Sequence, residues 1–352
     1  GGTATTLSAP GTRNFTVLSV LNVQSGTLDL SGVNAAVTGA TDVSGTLQIS
    51  STTGTKTFTG AVTITGTWDN NANEDVVIGN SLTSNGTFTS GTGLHTFQTT
   101  AGASWAGTSG LTFSGNVTVN ATRTNNTTTT VVGNLAGSST LTNAANQTLN
   151  IGGNASGITG LAATAAGNVV NYNGGASQIV ENTTYHHLTI SNTTGPVTLA
   201  GNTSIQGNFV NNGNFDGVSG NRTVTFNGGT TQTISGTSPT TSLYRLTLNN
   251  AAGLTLSGVH DLTVTNLLTL TAGPITTGTN VVYISNGSAI GSAGGNDFII
   301  GNLRKNFSAG ANVSRAFEVG SGLTPNARYA PVNVRFGSVT AAGDFTAGTT
   351  GA

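Results

Sequence analysis

From residue 26 to residue 88, apolar and small polar residues alternate in short runs, and the runs recur. Gly-Thr followed by an apolar residue stands at Gly26-Thr27-Leu28, Gly45-Thr46-Leu47, Gly66-Thr67-Trp68 and Gly86-Thr87-Phe88, so that successive glycines are 19, 21 and 20 residues apart. Second alternating runs lie between these marks, from Val17 to Val23, Val37 to Val43, Ala61 to Thr65 and Val76 to Leu82. Short alternating runs bounded by Gly, Asn and Ser predict short strands, at least two per unit. Side chains alternate along a strand, so Leu28, Leu30, Leu47, Ile49, Val62 and Ile64 are expected inside and the intervening Thr and Gln outside. One such unit cannot cover its own apolar face, and stacking supplies the cover. The pattern therefore predicts an all-β parallel β-helix, a β-solenoid with coils of about 20 residues, roughly 17 of them at a rise of ~4.8 Å each.

A longer period follows. Tyr172-Asn173-Gly174-Gly175 with Gln178 aligns with Phe226-Asn227-Gly228-Gly229 with Gln232 at an offset of 54, and His187 to Asn192 aligns with Arg245 to Asn250 at an offset of 58. The added residues belong at turns, because a one-residue insertion in a strand exchanges its two faces. Residues 123–150, with Thr127 to Thr130 and many Asn, read as an irregular coil or loop. Near Gly295 the composition changes, since five of the ten basic residues (Arg304, Lys305, Arg315, Arg328, Arg335) and two of the six prolines (Pro325, Pro331) follow it. The expected organisation is a solenoid over 1–295 and a small C-terminal β cap or assembly element over 296–352, because a bare terminal coil exposes a strand edge that polymerises.

Composition changes the picture in three ways. Only 6% of the residues are charged while 52 are Gly, so Thr, Ser, Asn and Gly must make the surface. A net charge of −1 gives no electrostatic reason to expect nucleic acid, and no run approaches the ~18 apolar residues of a membrane span. There is no Cys and no Met; the first fact removes thiol chemistry and disulfides and suits a secreted protein held by backbone ladders. The start at Gly1-Gly2-Thr3 is read as a mature product lacking its signal peptide, or as an excised fragment.

The pattern Leu-Thr-Ile-Ser-Asn…Gly…Val-Thr-Leu…Gly-Asn-Phe…Asn-Asn-Gly-Asn-Phe over 188–215 resembles the Thr/Asn/Gly-rich repeat proteins of Bacteroidota cell surfaces. So do Ile300-Gly301-Asn302-Leu303-Arg304-Lys305-Asn306-Phe307, Phe317-Glu318-Val319-Gly320 and Tyr329-Ala330-Pro331-Val332. The resemblance implies export by the type IX route and a role as adhesin or surface fibre; the given sequence departs from that pattern in showing no terminal sorting domain after Ala352, read as one cleaved off or one this chain never had.

Candidate chemistry is sparse. Asp69, Glu74 and Asp75, in an Asn-rich turn, form the closest acidic group. It reads as a solvated turn, with calcium as the alternative, although the Asp-x-Asp-x-Asp-Gly form is absent; two catalytic carboxylates ~5 to 9.5 Å apart are a further alternative. His186 and His187 adjoin Tyr185 just before a strand; adjacent strand residues are expected to point apart, which opposes chelation and favours a surface or turn role. His95 and His260 are isolated. Leu28, Leu47, Trp68 and Phe88 share one repeat position and are expected to stack in the core; the alternative is a sugar-binding platform formed by Trp68 and Trp105 with Phe88, Phe97 and Phe113. Thr-x-Thr pairs such as Thr63-Ile64-Thr65 and Thr223-Val224-Thr225 raise ice binding as a third reading.

The expected function is that of a non-enzymatic extracellular or cell-surface structural protein, a filament subunit or adhesin stalk assembled through strand edges. Its expected partners are other copies of itself, a cell surface or a polysaccharide, with no cofactor other than calcium. Thr3, Thr5, Leu7 and the basic residues Arg304, Lys305, Arg315, Arg328 and Arg335 are the expected assembly contacts. The alternative from another class is a carbohydrate-binding or carbohydrate-active β-helix.

Overall fold

The computed structural model describes residues 5–6, 13–322 and 328–349. Thr3 and Leu7 lie outside these residues, as does Pro325, and only the backbone of Thr5 is described. The chain is nearly all β and winds about 15 solenoid turns of ~20 residues. It divides into two compact units, Gly1–Gly174 and Gly175–Ala352.

In the first unit each coil carries three short strands. One coil contributes Thr27–Asp29, Val33–Val37 and Thr41–Val43, the next Thr46–Gln48, Lys56–Phe58 and Val62–Ile64, and a third Thr67–Asp69, Val76–Ile78 and Leu82–Ser84. Every strand pairs in parallel with its counterpart one coil on. Equivalent residues therefore stack: Leu28, Leu47, Trp68 and Phe88 form one column, and Val37, Phe58, Ile78, Phe97 and Val119 form another. Leu47 and Trp68 are fully buried, whereas Leu28 and Phe88 are half-buried. Burying a side chain of this kind contributes on the order of 1.5–3 kcal/mol.

The glycine of the Gly-Thr mark answers to this stacking. A Cβ on Gly66 would run into the Gly45 carbonyl oxygen, and one on Gly86 into that of Gly66. Backbone approach between coils, and not a left-handed φ, is what those two positions demand.

At the turns the coil-to-coil ladder breaks, and side-chain oxygens take its place. Thr55 N–H donates to Asn34 Oδ1 at 3.0 Å, Thr108 N–H to Asn85 Oδ1 at 3.0 Å, and Asn134 and Asn154 N–H to Asn116 and Asn134 Oδ1 at 2.8 Å each. An acceptor on one coil thus satisfies an amide of the next that no carbonyl reaches. This is one physical reason for so many asparagines.

Residues 123–150, expected to be an irregular coil or loop, contain strands Arg123–Asn125, Thr129–Val131, Leu135–Asn143 and Thr148–Ile151, paired in parallel with neighbouring coils, and the one irregularity is a register shift of Leu135–Asn143 against the next coil between Gly137 and Thr140. Polar residues fill the inside here: Asn125 Nδ2 donates to Asn143 Oδ1 at 2.9 Å, Thr129 Oγ1 donates to Asn125 Oδ1 at 2.7 Å, and Asn168 Nδ2 donates to the Asn143 carbonyl at 2.7 Å. A polar sequence hid an inward-facing amide network, in which the Asn125 and Asn143 amides and Asn168 Nδ2 find partners while Asn168 Oδ1 has none.

In the second unit the strands lengthen to Thr240–Asn249, Asp261–Ala272 and Ile275–Ile284. The long-period duplication acquires a physical meaning. Asn192 Nδ2 donates to the Ala176 carbonyl at 2.5 Å and to Gln178 Oε1 at 3.0 Å; Asn250 Nδ2 donates to the Thr230 carbonyl at 2.7 Å and to Gln232 Oε1 at 3.1 Å. The repeat encodes the same buried Gln–Asn clamp twice. Parallel stacking continues past residue 295 to Ile299–Phe307, which lies on Ile275–Ile284. Antiparallel pairing then takes over: Gly343–Gly348 lies on Ile299–Phe307, and Gly310–Phe317 pairs with Val332–Val339 as a two-stranded ribbon.

Candidate functional site

The acidic turn is tied into the coils by hydrogen bonds. Asp75 Oδ1 accepts the Leu94 N–H at 2.7 Å, and Asp69 Oδ2 accepts from Asn71 Nδ2 at 3.3 Å and Gln48 Nε2 at 3.4 Å. Glu74 is buried, which raises its pKa, an effect opposed by the nearby Lys56. Among the described residues no three His, Asp or Glu side chains are placed to share a metal ion. The calcium reading of Asp69, Glu74 and Asp75 gains no support here, since the Asp69 and Asp75 oxygens accept from different chain partners.

Trp68 and Trp105 are fully buried. They belong to an internal aromatic cluster in which Phe58 and Trp68 rings lie 5.0 Å apart, Phe97 and Trp105 5.0 Å, and Trp105 and Phe113 5.4 Å. Neither Trp serves as an exposed sugar platform. Thr27, Thr46, Thr67 and Thr87 do stand in one column, but the adjoining outward column is Asp29, Gln48, Asp69 and Thr89, so no paired Thr face forms there.

The isolated histidines and two of the bases prove to be internal. His95 is buried beside Phe88 and Phe113, its Nδ1–H donates to the Gly93 carbonyl at 3.1 Å, and burial pushes its pKa down to about 4. Lys56 Nζ donates to the carbonyls of Val33, Thr53 and Gly54 at 3.0 to 3.1 Å. Arg123 donates to the Asn80 carbonyl at 2.6 Å and lies 4.7 Å above the Phe97 ring, with its pKa lowered to about 10 by burial. Nothing in the spacing of these residues announced them, because each is placed by the register of a strand and not by a motif. His186 and His187 do not point apart as expected. Their rings meet edge to face at 4.3 Å, and His187 Nδ1 accepts the Asn208 N–H at 2.8 Å.

The basic residues of the C-terminal element divide. Lys305 is buried, donating to Glu318 Oε2 at 2.6 Å and to the Ser288 carbonyl at 2.8 Å, which takes it out of the set of expected assembly contacts. Arg304 stacks over Tyr283 at 4.5 Å, and Arg315 over Phe307 at 5.7 Å while donating to the Asn306 carbonyl. Arg328 and Arg335 are exposed. A groove of about 290 Å³ is lined by Phe307, Phe336, Val339, Asp344 and Phe345, Phe336 being the residue after Arg335. Phe336 and Phe345 remain 39% and 40% exposed.

A second surface lies at the first coil. Strand Arg13–Val17 pairs with Val33–Val37, and Leu21–Val23 with Thr41–Val43; neither has a partner on its other edge among the described residues. The Val17 carbonyl accepts the Thr38 N–H, so alternate residues Arg13, Phe15 and Val17 face the second coil while the peptide groups of Asn14 and Thr16 face outward. At this edge Leu18 is 80% and Val20 53% exposed.

Among the described residues no helix is long and apolar enough to cross a membrane. Comparison with protein families, with curated proteins and with solved structures finds no match to this chain.

Proposed function

We propose that this chain is an extracellular structural or adhesive protein, a stalk or filament subunit that assembles through strand edges. The observation that carries this reading is strand Arg13–Val17, which pairs on one side only among the described residues and turns the peptide groups of Asn14 and Thr16 away from its partner. Unpaired strand edges template further strands. The ladder-rich coils supply a scaffold in which nearly every position is spent on stacking, and the low charge, the absence of Cys and the resemblance to exported repeat proteins support a place outside the cell.

The edge is open to a direct test. Thr16→Pro removes an outward N–H without removing a bond to the second coil, a substitution that edge strands tolerate. Sedimentation velocity and negative-stain electron microscopy are expected to show oligomers or filaments for the native chain and monomers for the variant, with thermal unfolding of the monomer little changed. A native chain that stays monomeric at every concentration tested rejects assembly through this edge.

A further inference from the structure

We infer that the outward row Thr263, Tyr283, Arg304 and Thr346, flanked by Asn306 and Asp344, is a binding surface for the hydroxyl groups of a neutral saccharide. This rests on the adhesive half of the reading above, for which it names a ligand class, and not on assembly through strand edges. Strand alternation puts these side chains on one face. Val282, Ile284, Leu303, Lys305 and Phe307 are buried, so Tyr283, Arg304 and Asn306 between them turn outward. Thr263 stands beside Tyr283, Tyr283 beside Arg304, Arg304 beside Thr346, and Asn306 beside Asp344. The row crosses neighbouring strands for on the order of 15 Å, at ~4.8 Å per step, which is the length of a short oligosaccharide.

Tyr283 holds the two charged groups of this face apart. Its ring lies under the Arg304 guanidinium at 4.5 Å, and its hydroxyl donates to Asp344 Oδ1 at 3.0 Å. Asn306 Nδ2 donates to the same oxygen at 2.9 Å, so the carboxylate is fixed from two sides. Arg304 and Asp344 form no ion pair with each other. Among the described residues Arg304 Nε is buried without a partner, the Nη groups donate to none, and Asp344 Oδ2 accepts from none. The face thus sets unspent charged donors beside an unspent charged acceptor, each held in place by Tyr283. A sugar hydroxyl both donates and accepts, so two neighbouring hydroxyls satisfy both groups at once. The bonds are of the stronger, charge-assisted kind, and the planar guanidinium fork loses little freedom in making them. An anionic ligand meets the Asp344 carboxylate and a cationic one the Arg304 guanidinium, which selects against both.

The test is affinity electrophoresis of the full chain in native gels containing dextran, a mannan, a xylan or a neutral β-glucan, with polygalacturonate and chondroitin sulfate as acidic counterparts. At least one neutral polysaccharide is expected to retard the chain, with little change as salt is raised, because the ligand carries no charge to screen. Arg304→Gln with Asp344→Asn keeps the net charge and is expected to weaken that retardation about tenfold or more. Tyr283→Phe keeps the ring but releases the carboxylate, and a smaller loss of roughly two- to fivefold is expected. Far-ultraviolet circular dichroism and thermal unfolding check the fold of each variant. The Thr16→Pro chain is expected to bind as the native chain does, so loss of assembly and loss of saccharide binding are told apart. Retardation by the acidic polymers alone overturns the inference. So does retardation by a neutral polysaccharide that the double variant retains, and so does a chain that no neutral polysaccharide retards.

Discussion

In the first unit Lys56 and Arg123 are buried with backbone carbonyls around their charges, whereas in the second Lys305 is buried against the carboxylate of Glu318. Lys305–Glu318 is the only ion pair among the described residues. The difference follows from backbone geometry. Regular coils bring successive turns into stacks, and stacked turns leave carbonyl oxygens that a long cationic side chain can gather. At the C-terminal element the parallel stack ends, strand direction reverses, and Lys305 is met by an acidic side chain, itself tied to the chain by the Ile290 N–H on Glu318 Oε1. Carbonyl caging asks for no second charge; ion pairing makes each partner depend on the other.

Three measurements break or sharpen that contrast. The largest effect is expected from Glu318→Leu, which strands the Lys305 ammonium in the interior and should cost about 3–5 kcal/mol in urea unfolding, while Lys305→Met with Glu318→Leu should recover most of the loss. If the double variant is as unstable as the single, the pair is not the unit that matters. Next comes acid. His95 is held neutral when folded, with its pKa lowered from 6.5 to about 4, so the unfolded chain binds a proton first and stability falls as pH drops from about 6.5 towards 4. The shift corresponds to a loss on the order of 3 kcal/mol. His95→Leu should flatten that part of the stability profile, and an unchanged acid slope in the variant removes His95 as its source. The smallest effect is expected from Lys56→Met, about 1–3 kcal/mol, because the three carbonyls lose their donor and Glu74 loses a nearby cation, but no hydrogen-bonded ion pair is broken. A loss as large as that of Glu318→Leu erases the distinction between caging and pairing.

The two regions also differ in how plainly they could be read beforehand. The column of Leu28, Leu47, Trp68 and Phe88 was legible because stacking repeats the same demand every ~20 residues, and the Gly45, Gly66 and Gly86 column marks the demand in the backbone. That residues 123–150 form paired strands and no loop was hidden because Asn125, Asn143 and Thr129 are polar yet point inward; polarity along a chain says nothing of direction once amides find partners. Lys305 looked like a surface contact for the same reason, since a basic residue reads as solvated until its carboxylate partner is seen. The open edge of the first coil, which carries the functional proposal, leaves almost no trace in composition. Only the strand pairing reveals it, among the described residues.

By itself, the amino-acid sequence determined the solenoid class, the period and the inward columns, because these follow from local alternation repeated at a regular spacing. It also carried the duplicated Gln–Asn clamp, visible as an offset before its hydrogen bonds were known. The tertiary structure alone decided which polar residues are internal, which bases are caged, paired or exposed, and where a strand edge is left without a neighbour. Those properties depend on what stands one coil away, about 20 residues along the chain, and no local pattern records it.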